Sequence, residues 1–517
     1  MPCVAVRISA VVLALAALGG TGKAQTLPDN IDITGSPNGI VALPSTVHTV
    51  FKNVFDRYTK ITAPNGQAIH FLLQSQVTDE MGVRAREVMR FYLTDVPGSQ
   101  YGADKTAIMN RMGNWEAALV YFNTEQAAEQ AFNGPLGNAN IFAQDLYATE
   151  SVVEGSSFYF NNNRRDATFE EVFHLVHGAG IQPVLPAFHT EITNATNAAI
   201  AANIYNPPPA WELPPADRPF EYIISIIDVY YGYWAHDPSN DGTAFYGEYA
   251  FNTRTDVITG DPAGVTAMRK FLPEFFTADL TCAATISTTF RLDPVPNLEY
   301  TLKSQYMDNV RLSGTNASHL VGNDRDNTLE GNAANNNLVG GAGTDTAAFK
   351  GALAEYVISG AVISDTVPNR DGTDTVSTIE FLQFSDQTAS YGVESYGMSC
   401  GGLAVGSGGL PALGSSTFSL SLTGAAANLA ALFMLGSISL DLDLTGFGAS
   451  GCSLYQDMAV LIPALTDTAG SSSVALPIPN DPHLLGSTVY QQWAVFDASA
   501  NPLGITTSEG LAIRIQP

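Results

Sequence analysis

The stretch from Leu320 to Phe349 reads LVGNDRDNT, LEGNAANNN, LVGGAGTDT and then AAF, a repeat with a period of nine residues. Leu320, Leu329, Leu338 and Ala347 fall in one register, and Gly322, Gly331 and Gly340 each follow two residues after a leucine. A nine-residue unit with two short strands and two glycine-bearing turns predicts a parallel β-roll whose periodic leucines point inward. Glycine supplies the positive φ that such turns use. Turn carbonyls and an Asp side chain from stacked turns are oxygen donors of the kind that enclose a hard cation such as Ca²⁺. The same pattern also fits an asparagine-ladder solenoid that binds no metal.

These repeats resemble the hemolysin-type (RTX) calcium-binding repeat, GGxGxDxUx, with the closest copy in GGAGTDTAA from Gly340 to Ala348. The resemblance implies calcium ligands among Gly322, Asp324, Asp326, Asn327, Gly331, Asn336, Gly340, Gly341, Gly343 and Asp345. Asn327 and Asn336 stand where the third copy has Asp345, and a neutral oxygen attracts Ca²⁺ less. One or two weak sites are therefore expected. After the repeats, YVISG and DTVPNRDGTDTVSTIEFLQFSD alternate β-branched and aromatic residues around a polar turn at Pro368 to Thr373, which predicts paired strands. IEFLQFSD resembles the strand that closes such rolls, and Asp371 and Asp374 are further candidate ligands.

At the other end, Arg7 precedes an apolar run from Ile8 to Leu18 and then Gly22-Lys23-Ala24, the pattern of a secretory signal peptide. Cleavage after Ala24 removes two positive charges and takes the net charge from −27 to −29. No later apolar run is long enough for a transmembrane helix, so a secreted or cell-surface protein is expected. With 50 carboxylates against 23 bases, nucleic acid is excluded as a natural partner. Cys3 leaves with the signal, and Cys282, Cys400 and Cys452 remain. Export permits a disulfide, and Cys400 with Cys452, from one region, is the preferred pair, leaving Cys282 free. None of the spacings suggests a zinc finger.

The expected architecture is multidomain. A signal peptide (1–24) precedes a helix-rich α+β domain (25–305), a short parallel roll with closing strands (306–395) and an antiparallel β-sandwich (396–517). In the first domain, 82–92 and 104–112 carry apolar residues at helical spacing, and Asn123 reads as the N-cap of a helix over 124–132.

One helix there carries chemistry. TFEEVFHLVH, Thr168 to His177, starts with a capping box between Thr168 and Glu171. Glu170 and His174 are four apart and share a face, Glu171 and His174 are neighbours at three, and His177 continues that face. The HExxH signature uses two ligands at i and i+4 with a Glu between as general base; here Glu170 replaces the first histidine. Glu221, opening EYIISIIDVYYGYW, is the candidate third ligand. The two segments resemble a family of secreted proteins carrying an EEVxHLI segment and a later EY(I/F)YWA-like helix. A zincin-like metal site is our geometric reading, not a property of that family. It would hold zinc on Glu170, His174 and Glu221, with Glu171 activating the bound water. Two carboxylates in the set could also favour Mn²⁺, Fe²⁺ or Ca²⁺. A buried hydrogen-bond network without metal is the plain alternative. His189 and His236 lie in loop-like sequence and read as solvated. Asp237 to Glu248 matches calcium-loop spacing in part but reads better as a turn-rich loop.

Beyond Gly401 the chain turns to Gly, Ser, Ala and Leu. Phe418, Leu420 and Leu422, and again Ile438, Leu440, Leu442 and Leu444, alternate with polar residues, predicting half-buried antiparallel strands. The region from Tyr396 to Pro517 resembles a C-terminal module of secreted planctomycete-type bacterial proteins. The leading expectation is a secreted calcium-binding protein. The alternatives are a metal-dependent, gluzincin-like metallopeptidase and a cell-surface adhesive or scaffolding protein.

Overall fold

Continuous apolar runs build the first sheet. AIHFLL and AALVYF are buried on both faces, as central strands must be when helices cover the sheet on either side. The strands are β1 (Val41–Ala42), β2 (Arg57–Thr62), β3 (Ala68–Leu73), β4 (Ala117–Phe122) and β5 (Phe142–Tyr147), in the order β1-β2-β3-β4-β5. β2 runs antiparallel to both β1 and β3, and β4 lies parallel to both β3 and β5. The computed structural model describes residues 26–517 except 162–165, 360, 387, 391, 409–410, 412, 417, 485 and 516–517. The candidate signal segment therefore lies outside the described residues. Among the described residues no helix is long and apolar enough to cross a membrane.

The chain divides into two compact units, one of residues 1–286 and 292–311, the other of 287–291 and 312–517. The first is mixed α and β. Its helices start where short polar side chains meet orphan N–H groups. Thr78 accepts from the Met81 N–H at 3.2 Å to start Asp79–Leu93, which contains the run expected at 82–92. Asp104 accepts from the Thr106 N–H at 2.9 Å ahead of Thr106–Asn114. Two expected caps are displaced by one or two positions. Thr124, not Asn123, caps Glu125–Phe132. Thr168 is the first helical residue of Thr168–Val176 rather than its cap, and no capping box forms there. Asp166 takes that part, accepting from the Thr168 hydroxyl at 2.9 Å and its N–H at 3.3 Å. A carboxylate reaches these donors where the shorter threonine hydroxyl turns back to meet it.

In the second unit the repeats form parallel ladders. The strands are His319–Val321, Thr328–Glu330, Asn337–Val339 and Thr346–Ala348. Leu320 pairs with Leu338 and Leu329 with Ala347, so each strand meets the one two repeats on. The leucines and Ala347 are fully buried. Thr373–Ser377 extends one ladder and Phe381–Gln383 the other. Val362–Asp365 pairs antiparallel with Thr373–Ser377 across the expected polar turn. We call this region the roll.

Its glycines serve two different needs. Gly341 and Gly343 have φ of +116° and +114°, the conformation expected of turn glycines. Gly322, Gly331 and Gly340 do not. A Cβ there would run into the Gly340 carbonyl, the Asn336 side chain or the Thr378 carbonyl, so close stacking of rungs excludes it.

After the roll, two antiparallel sheets share one core. Phe418, Leu420 and Leu422 come from one, and Phe433, Trp493 and Ile513 from the other. The second alternating run departs from expectation. Ser439–Asp443 belongs to a two-stranded hairpin, and Ile438, Leu440 and Leu442 are exposed at 58%, 41% and 46%. Alternation marks a two-faced strand but cannot say that a second layer covers it. Cys400 is bonded to Cys452, and Cys282 is a buried free thiol.

Candidate metal centre

Two helices of the first unit bring the candidate ligands together. Thr168–Val176 is buried almost throughout, wedged by aromatic contacts. Phe173 meets Tyr92 edge-on at 5.0 Å between ring centroids, and Phe169 stacks on Tyr233 at 4.0 Å. The Tyr92 hydroxyl donates to the Phe169 carbonyl at 3.2 Å. These contacts fix the rotation of the helix and thereby the direction of its polar face. The partner helix, Arg218–Tyr230, carries Pro219 in its first turn and Glu221 beside it. Glu170, Glu171 and Glu221 all lie in first turns, where unpaired N–H groups and the helix dipole favour carboxylates.

Glu170, His174 and Glu221 each offer a ligand atom, and the three atoms lie within 4.8 Å of one another. Among the described residues this is the one such grouping of three His, Cys, Asp or Glu side chains. His174 Nε2 is 3.8 Å from Glu221 Oε2. Its other ring nitrogen, Nδ1, is 3.4 Å from Glu171 Oε2. The i to i+4 spacing thus places Glu170 with His174, and the i to i+3 spacing places Glu171 at the back of the same ring.

The strand β5 supplies what the sequence did not reveal. Gln144, buried beneath the site helix, donates from Nε2 to Glu171 Oε2 at 2.7 Å. Next to it, burial and then the charge of Glu171 push the Asp145 carboxyl up to about 6, and the Tyr147 hydroxyl donates to Asp145. Gln144 is a strand residue with no motif, and only the parallel pairing of β5 brings it under the helix.

Of the remaining histidines, His189 and His236 are placed differently from expectation. The α-helix gives way after Val176 to a π-helical turn over His177–Ile181, and His177, whose N–H still bonds the Phe173 carbonyl, keeps its place three residues on from His174. π-turns inside helices often mark functional sites. Gly178 and Gly180 permit this one, because a Cβ there would press on Phe142 or collide with Ile108. His177 Nε2 lies 3.0 Å from His189 Nδ1. His189 is helical, within Pro186–Ala201, and not in a loop, since Pro186 starts a helix at its first position instead of breaking one. Burial, then the neighbouring imidazoles of His189 and His174, holds His177 well below its ordinary range. His236 is also largely buried rather than solvated, and burial drives it down to about 3. The stretch from Asp237 to Glu248 is a set of turns, in which Asp237 accepts from the Gly242 N–H at 3.0 Å.

In the roll, the residues expected to bind calcium make a ladder of side-chain acceptors. Asn327 Oδ1 accepts from the Asn323 N–H at 2.7 Å and Asn336 Oδ1 from the Asn332 N–H at 2.8 Å. Asp345 and Asp374 take the N–H groups of Asn327 and Asn336, each at 2.8 Å, through Oδ1. Their Oδ2 atoms are buried with no hydrogen-bond partner. Burial leads in pushing both carboxyls up to about 7, opposed by those N–H donors; Glu380 and Asp326 add to the rise at Asp345, and Asp371 at Asp374. Asp326 accepts from the Thr344 N–H at 2.7 Å, while Asp324 is 88% exposed.

No family model, curated protein or solved structure matches this chain.

Proposed function

We propose that the chain is an exported protein whose first unit is a divalent-metal centre, with Glu170, His174 and Glu221 holding one ion for water activation. The observation that carries this reading is the convergence of three ligand atoms from two helices within 4.8 Å. Two carboxylates and one imidazole suit a first-row divalent metal such as Zn²⁺, Mn²⁺ or Fe²⁺. A metal so held makes a bound water more acidic. Glu171 faces His174 Nδ1, fixing the ring so that Nε2 points at Glu221, the usual role of a carboxylate behind a ligating histidine. We also assign Glu171 the proton released by an attacking water. Hydrolysis of a peptide or ester is the matching reaction class. The disulfide between Cys400 and Cys452 supports export, since such bonds persist in oxidising compartments.

The test is elemental analysis of the full chain dialysed against Zn²⁺, Mn²⁺ and Fe²⁺, beside His174→Ala and Glu171→Gln. One ion per chain that His174→Ala loses and Glu171→Gln keeps, with peptide cleavage lost in both, is the expected result. No bound metal in the wild type would end the proposal.

A second reading is Ca²⁺ binding by the roll, favoured by the buried Oδ2 atoms of Asp345 and Asp374. A cation would neutralise carboxylates that burial otherwise disfavours. Millimolar Ca²⁺ should raise the thermal midpoint and β-sheet circular dichroism, and unchanged values of both would remove this reading.

A further inference from the structure

The roll repeats its backbone every eighteen residues, so Lys350 stands one rung beyond Asn332. Both reach back to the rung before. Asn332 Nδ2 donates to the carbonyls of Ser313 and Asn316, each at 3.0 Å. Asn336, on the same rung as Asn332, donates from Nδ2 to the Ser318 carbonyl at 2.7 Å. Turn carbonyls on this side are thus satisfied by nitrogen donors from the rung above.

At Lys350 the donor is charged. Its Nζ donates to the Gly331 carbonyl at 3.1 Å and to Asp371 Oδ1 at 2.9 Å, and lies 3.3 Å from Glu330 Oε1. The backbone N–H of Lys350 and the Tyr356 hydroxyl both donate to the other oxygen, Asp371 Oδ2, at 2.8 and 2.5 Å. Asp371 is 3% exposed, so its charge needs a partner. The neighbouring cation is committed elsewhere, since Arg370 grips Asp365 through two nitrogens and Glu355 through a third. Burial opposes the ammonium, yet the bond to Asp371 and the charges of Glu330 and Asp371 hold it above its ordinary range.

One backbone carbonyl and two carboxylates converging on one positive centre is the donor set of a hard divalent cation. We propose that Lys350 is a tethered cation: its ammonium fills an oxygen nest of Gly331, Glu330 and Asp371 that, without it, takes one divalent ion such as Ca²⁺. This turn of the wild-type roll then takes no metal, whatever the other turns bind. Charge balance is built into the chain at that rung and does not depend on the medium.

Calcium counting by equilibrium dialysis on the full chain tests this, comparing wild type, Lys350→Met and Lys350→Arg at millimolar Ca²⁺. Lys350→Met should bind one ion more than wild type, and Lys350→Arg the wild-type number. The added ion should vanish when Asp371→Asn is combined with Lys350→Met. Without calcium, amide exchange over 328–339 in Lys350→Met should quicken roughly tenfold, the loss of a hydrogen bond to a charged group. Calcium should restore it and sodium at equal ionic strength should not. Equal ion counts in wild type and Lys350→Met, an added ion that survives Asp371→Asn, or restoration by sodium would each overturn the proposal. Should Lys350→Met fail to fold even with calcium, Lys350→Gln carries the same comparison. Because the readout is a difference, a wild type that binds no calcium anywhere leaves this test intact.

Discussion

The buried carboxyls of Asp345 and Asp374 make the stability of the calcium-free roll depend on pH, and the direction is fixed by their surroundings. Each is almost wholly buried, with one oxygen bonded to a backbone N–H and the other without a partner. Ionisation would leave charge on an oxygen that neither water nor a donor reaches. Both therefore hold their protons in the fold up to about pH 7, against an ordinary value of 3.8. A group whose folded value is raised gives stability that is fully present below its unfolded value. That stability is lost as pH climbs through the folded value. The roll should be firmest near pH 4, weaken from there towards pH 7, and level off above. In the middle of that window the slope is on the order of 1.4 kcal/mol per pH unit for each carboxyl.

Hydrogen exchange of peptides spanning 319–348, corrected for intrinsic rates, reads this opening free energy directly. The control is written in the repeat itself, because Asn327 and Asn336 accept the same kind of backbone N–H as the two aspartates. Asp345→Asn together with Asp374→Asn should fold and should flatten the profile. A wild-type roll with no slope between pH 5 and 7, or a double variant that keeps the slope, would refute the reasoning.

Other outcomes are expected. Reducing Cys400–Cys452, which spans 52 residues, should lower the stability of the second unit by about 4 kcal/mol on the chain-entropy account; denaturant titration with and without reductant measures it. Gly340→Ala should cost about 3 kcal/mol or prevent folding of the roll, since its Cβ would press on the Thr378 carbonyl and the Asp345 side chain; Gly35→Ala, with open space around it, is the matched control. Leu329→Ala empties a fully buried position between rungs and should cost about 3 kcal/mol in the same titration. Gln144→Ala should weaken metal binding roughly tenfold without abolishing it, because Gln144 steadies Glu171 and not a ligand itself.

Legibility in the sequence followed the range of the interactions. The nine-residue period is local, and it marked the strand positions of the roll and the inward leucines. The i to i+4 rule likewise placed Glu170 with His174, and an acidic residue opening an apolar helix pointed to Glu221. Gln144 was invisible because the pairing of β5 with β4, not any motif, carries it to the site. The π-turn that starts at His177 had no motif to announce it beyond Gly178 and Gly180, where the packing leaves no room for a Cβ. Ile438, Leu440 and Leu442 show the limit of alternation, which reports two faces but not what lies against either.

The pairing of Leu320 with Leu338 and of Leu329 with Ala347 makes repeat number a matter of parity. Deleting nine residues would remove one sequence repeat but only half a circuit of the backbone. Every strand downstream would swap ladders, and Thr373–Ser377 would lie against the wrong neighbour. Deleting or duplicating eighteen keeps odd strands with odd and even with even. Length variants of this segment should therefore be tolerated in steps of two repeats, and a change of one should be rejected although its sequence looks seamless.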